Sequence, residues 1–168
     1  KIEVPAISVT KKDGSQVPLD IDRLASVVNH ACEGLEDVSA DSILEESIKN
    51  LYDGVSVSNM KAALIMSART KVEIEPNYSF VTARILLDEL RSEALSFLDI
   101  AEESSHPEMK DHYPLAFKAY IEKGIKLEML DPNLKTFDLD KLGNAIEHDR
   151  DYQFTYLGLQ TLYDRYFI

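Results

Sequence analysis

Cysteine is nearly absent: among 168 residues only Cys32 carries a thiol. One cysteine excludes an intramolecular disulfide framework, a four-cysteine zinc site and a CxxC redox pair, and makes a reducing cytoplasm the simplest setting. Positive charge is scarce too. Lys and Arg number 18 against 30 Asp and Glu, a net charge of −12. Like charge repels nucleic acid and anionic membranes unless basic residues cluster; no such cluster appears, so neither is expected as a partner. The apolar runs, such as Ala62 to Met66 and Ile85 to Leu87, fall far short of the ~20 residues a membrane-spanning helix needs. A secretory signal with a basic start and an apolar middle is also missing.

What remains is a chain with 45% hydrophobic residues, enough to bury a core and to exclude wholesale disorder. Its length suits one medium domain or two small ones. It starts at Lys1 rather than Met and ends on an aromatic run, Asp164 to Ile168, so a piece of something longer is expected.

Ile7 to Thr10 alternates apolar and polar residues, Lys11 to Ser15 supplies turn chemistry around Asp13-Gly14, and Val17-Pro18-Leu19 resumes an apolar stretch. This predicts a β-hairpin, with Pro18 on an edge strand because it has no N–H to donate. Ile21, Leu24, Val27, Val28, Ala31 and Cys32 recur at helical spacing after Asp20, and a second helix follows Ser39. Ser58 is expected to cap a third helix reaching about Val72, and a long fourth one runs from about Tyr78 to Leu98. Residues 99–111 are acidic, weakly periodic and read as a linker. The remainder, 112–168, predicts helices around Leu115 to Lys123, Asp138 to Glu147 and Tyr152 to Tyr166. The fold class is therefore α+β and predominantly α: a β-hairpin on four helices, then a second helical region.

Catalytic motifs are thin. Lys11-Lys12-Asp13-Gly14 offers two ammonium groups and a glycine amide to an anion, but Walker and GxGxxG patterns are missing and an ordinary hairpin tip with solvated lysines is the simpler reading. Glu147-His148-Asp149-Arg150-Asp151 gathers five ionisable side chains. Neighbours on a helix diverge, which favours capping and ion pairing at the start of the last helix over a metal site. His30, His106 and His112 follow no HxxxH or HExxH spacing and read as solvated or locally bonded. Cys32 lies on an apolar stripe and reads as core. No nucleophile elbow frames a serine. No catalytic residue and no metal ligand is assigned.

The order Val9-Thr10-Lys11-Lys12-Asp13-Gly14-Ser15, Leu51-Tyr52-Asp53-Gly54 and Pro76 to Arg84 resembles the ATP-cone domain of class I ribonucleotide reductase large subunits. Glu147 to Asp151, Phe154-Thr155-Tyr156 and Leu162 to Tyr166 are similar to the stretch of that subunit leading into its catalytic barrel. The resemblance implies a cone over 1–98, a linker over 99–111 and the start of the catalytic region over 112–168. It further implies a parent enzyme that reduces ribonucleoside diphosphates by radical chemistry at downstream cysteines, so this stretch would be inactive alone. ATP or dATP would be the cone's ligand, and no other cofactor is expected. The rest of the large subunit, other large subunits and the radical-generating small subunit would be its partners.

Carried over position by position, the resemblance points to Lys11, Lys12, Val17, Asp20, Arg23, Val57 and Lys61 as the nucleotide-binding set. Val17 stands where cones commonly have a polar or acidic residue, and Val57 where a threonine offers a hydroxyl. Glu89 and Ser92 occupy places of a histidine and a lysine directed to the phosphates, and Lys61 replaces a frequent histidine. Losing cations and gaining Glu89 removes attraction to a triphosphate and adds repulsion. These departures read as a degenerate cone, such as the second of a tandem pair; the alternative is a working activity site that takes ATP as activator or dATP as inhibitor. A cone of the reductase-gene repressor type would need a zinc ribbon and a basic surface, which one cysteine and −12 charge oppose.

Overall fold

The computed structural model describes residues 7–11 and 13–167. The chain forms two compact units, Lys1–Leu86 with Gln153–Ile168, and Leu87–Tyr152. The architecture is α+β and mostly helical.

In the first unit β1 (Ser8–Thr10) is the middle strand, with β2 (Gln16–Pro18) antiparallel on one side and β3 (Val55–Ser56) parallel on the other. Gly14, at φ 82°, turns the expected hairpin, and Pro18 sits on the edge strand, where its missing N–H costs no ladder bond. Val9 pairs with both Val17 and Val55, so the three valines share one face of the sheet. Val9 and Val55 are 3% and 1% exposed; Ile7 joins them, and Leu19, Leu51, Val57 and Met60 pack against the group. Asp53 ties the start of β1 to the turn before β3 by accepting from the Ser8 amide at 2.8 Å and the Ser8 hydroxyl at 2.5 Å.

Four helices follow the periodicity. Asp20 caps α1 (Ile21–Cys32) by accepting from the Arg23 amide at 2.8 Å, and Ser39 caps α2 (Ala40–Lys49). Helix α3 (Val57–Arg69) starts straight out of β3 and is capped by Ser56 rather than Ser58. Helix α4 spans Tyr78–Phe97. Val28, Ile43, Val81 and Ala83 are fully buried. Arg84, from α4, donates to the carbonyls of Ala31 and Glu33 at 3.0 and 2.8 Å, satisfying groups that the C-terminus of α1 leaves open.

The second unit holds α5 (Met109–Lys126) and α6 (Leu139–Asn144), packed on each other, with short 3-10 turns at Pro132–Thr136 and His148–Gln153. Helix α5 is longer than expected and runs through Pro114. Ser104 and Met109, within the stretch read as a linker, are each 2% exposed. The helix expected to reach Glu147 stops at Asn144. In the first unit α7 (Tyr156–Arg165) is capped by Thr155, so the 147–151 run forms its own turn instead of capping the last helix. Tyr156 lies under the Arg69 guanidinium, 5.5 Å from its ring centre.

Two tests follow from these contacts. A Cβ on Gly143 would lie 3.0 Å from the Pro114 Cα and carbonyl oxygen. Overpacking of about 1–3 kcal/mol, against about 1 kcal/mol gained in helix propensity, gives Gly143→Ala a net loss of about 1 kcal/mol, measurable by hydrogen exchange in α5 and α6. The Ser8 hydroxyl, then the Ser8 amide, hold the Asp53 carboxyl below its ordinary value. A carboxyl with a depressed folded pKa adds stability that is present above its unfolded value and lost as pH falls through the folded one. Asp53→Asn should therefore flatten the acid limb of a stability-versus-pH curve while leaving its neutral limb parallel to the parent.

Candidate functional site

The residues expected to hold a nucleotide surround the small sheet. Lys11 is the exposed first residue after β1, Val17 the centre of β2, Asp20 and Arg23 the cap and first turn of α1, and Val57 and Lys61 the first two turns of α3. Lys12 lies outside the described residues. Thr10 pairs with Ser56, so Lys11 and Val57 leave the sheet at one end, whereas Asp20 and Arg23 follow Pro18, whose partner is Ser8 at the other. Three-residue strands span only about 7–10 Å, so the two ends are close neighbours. Asp20 is engaged with the α1 amide. Val57 is half-buried in the apolar group under the sheet, and Val17 stands on the face that buries Val9.

Among the described residues of this set none carries a thiol or an imidazole. Burial pushes the Cys32 thiol up to about 11, so it stays protonated at neutral pH and is a poor nucleophile. His30 is bonded locally, its Nδ1 2.8 Å from the Ser26 carbonyl. The arrangement is suited to binding.

The second unit holds a cluster that the local sequence pattern signals only in part. Arg91, 7% exposed, pairs with Asp151 at 2.7 Å, and Asp151 also accepts from the Tyr113 hydroxyl at 2.5 Å. The same guanidinium nitrogen is 2.9 Å from His106 Nδ1, while His106 Nε2 faces Asp149 at 3.2 Å. His106 stacks on Tyr152 with ring centres 3.9 Å apart, and His148 reaches Asp149 at 3.3 Å. His106 was expected to be solvated or locally bonded; it is instead the centre of a nonlocal chain. Only the 147–151 run signalled the cluster, since Arg91, His106 and Tyr113 lie 15 to 60 residues from the groups they meet.

His106, His148 and Asp149 bring three ligand-type atoms within 4.8 Å of one another, and Arg91 decides what they do. A guanidinium only donates, so His106 Nδ1 accepts and the neutral ring carries its proton on Nε2, toward Asp149. A metal on Nε2 would require the proton on Nδ1, against Arg91, whereas metal-binding histidines donate from their second nitrogen to an acceptor. The group is a hydrogen-bond chain. Burial, foremost, holds His106 below its ordinary pKa, opposed by its bond to Asp149; burial and then the Asp151 bond raise Tyr113.

Removing one member of a buried pair leaves the other uncompensated, at about 3–5 kcal/mol. Arg91→Met should cost that much in urea unfolding, and adding Asp151→Asn should recover part of the loss, because the stranded charge is then gone.

Residues 7–93 match the ATP cone domain family. Similarity extends beyond them to proteins named ribonucleoside-diphosphate reductase subunit alpha. The chain is 38% identical over 165 residues to that of Chlamydia trachomatis, covering 96% of this chain and 15% of the relative. It is 39% identical over 161 residues to that of Chlamydia muridarum, covering 95% and 15%, and 32% identical over 164 residues to that of Helicobacter pylori, covering 96% and 19%. The chain thus spans less than a fifth of the length of these relatives. With the β2-β1-β3 sheet and helices α1 to α3 all inside the matched span, this chain belongs to the ATP-cone family.

Proposed function

We propose that this chain is a regulatory region of a cytoplasmic ribonucleoside-diphosphate reductase large subunit whose cone keeps its fold without binding nucleotide. The observation that carries this reading is the place of Val57. Its side chain packs against Ile7, Val9 and Val55, at the position where a nucleotide-binding cone would offer a hydroxyl. Val17, on the same sheet face, likewise brings no polar group. The cone then acts as a spacer or oligomer contact toward the rest of the large subunit, other large subunits and the radical-generating small subunit. Reduction of ribonucleoside diphosphates belongs to the parent enzyme; the one thiol here is protonated and half-buried, so the chain alone does not turn over substrate.

A second reading, a working activity site that takes ATP or dATP, draws on Lys11 and Lys61, two cations at the end of the sheet where α3 begins. Such a site switches activity only if its two ligands favour different assemblies. Calorimetric titration of the 168-residue chain with each nucleotide separates the readings. The expected outcome is no saturable heat at millimolar ATP or dATP, and a saturable isotherm with either would replace the first reading by the second.

A further inference from the structure

We propose that His106 is an acid-sensitive latch: while its ring is neutral it joins Arg91 of α4 to Asp149 of the 148–153 turn, and a proton on Nδ1 opens the joint. The two ring nitrogens are unequal. Nε2 already donates to Asp149 in the neutral ring, so a second proton forms no new hydrogen bond there. That proton goes on Nδ1, 2.9 Å from a guanidinium nitrogen that can only donate. Protonation thus replaces an attraction by a donor–donor contact.

The surroundings reinforce this asymmetry. From α4 comes Arg91, and from the turn come His148, Asp149, Asp151 and the stacked Tyr152. On α5 and its approach, Glu108 is bonded to Ser105, His112 to Ser104 and Tyr113 to Asp151. The Asp149 and Asp151 carboxylates favour a charged ring, while burial, Arg91 and His148 oppose it, and burial weighs most. His148 shares Asp149 at 3.3 Å, and its ring centre lies 5.1 Å from that of His106. Arg91 keeps Asp151 throughout, so the part released is the 104–109 corner rather than the whole unit.

A histidine with a depressed folded pKa contributes stability that is full above its unfolded value and lost as pH falls toward the folded one. Hydrogen exchange on the 168-residue chain, expressed as protection factors between about pH 8 and about pH 5, tests the latch. Protection of the amides of Ser104, Ser105, His106, Glu108 and Met109 should fall with a slope approaching about tenfold per pH unit, one proton per opening, while the α5–α6 contact holds. In His106→Gln the slope should vanish. A flat parent profile, or a step that survives in His106→Gln, would overturn the proposal. Should that variant fail to fold, nitrogen-15 spectra of the parent ring decide: a proton on Nε2 near neutral pH supports the latch, and one on Nδ1 refutes it.

Discussion

The first unit depends on Val9 being buried against two strands at once. Strands of two and three residues have too few backbone bonds to hold a sheet in water; this sheet persists because its valine face completes a core. Burying one such side chain contributes about 1.5–3 kcal/mol, which exceeds a typical net hydrogen bond of about 1 kcal/mol. The rest follows from that placement. Asp53 fixes where β3 meets β1, β3 runs without a linker into α3, and the first residue of α3 is carried under the sheet. Position 57 is therefore a helix start and a core contact together, and a valine meets the second demand better than a residue with a hydroxyl.

Much of this was legible in the sequence. Asp13-Gly14 between alternating runs marked the hairpin, and Asp20 and Ser39 marked two helix starts, because turn and cap chemistry act within a few residues. The two-residue strand β3 left no periodicity to read, and missing it moved the expected cap of α3 from Ser56 to Ser58. The sequence placed this helix only around Leu115 to Lys123, yet α5 runs through Pro114 and Gly124; at Pro114, Gly143 of α6 permits a close approach by having no side chain. In the candidate site, the positions around the sheet were legible through resemblance, while the burial of Val57 needed the fold.

The Arg91 chain escaped notice for a different reason. Its members are spread over α4, the approach to α5 and the 148–153 turn, and each is unremarkable among its own neighbours. The 147–151 run was visible as a dense patch of charge, but its partners were not. Only a tertiary contact tells that Asp151 is a half-buried counter-ion and Asp149 an exposed acceptor, although only Arg150 separates them.

The net charge of −12 takes on a more specific meaning against these contacts. Several cations already serve the fold: Arg84 on the end of α1, Lys71 on the Ser42 hydroxyl, Arg91 on Asp151, and Lys123 on the Phe97 carbonyl. These are structural commitments, and moving any of them to a phosphate would open an acceptor elsewhere. A triphosphate, with about four negative charges, needs cations and hydroxyls that converge. On the reading proposed for this cone, each apolar substitution at the sheet strengthens the core while weakening the site. Loss of nucleotide and retention of fold are then one physical change, and restoring the ligand would require polar groups where the cap draws its stability.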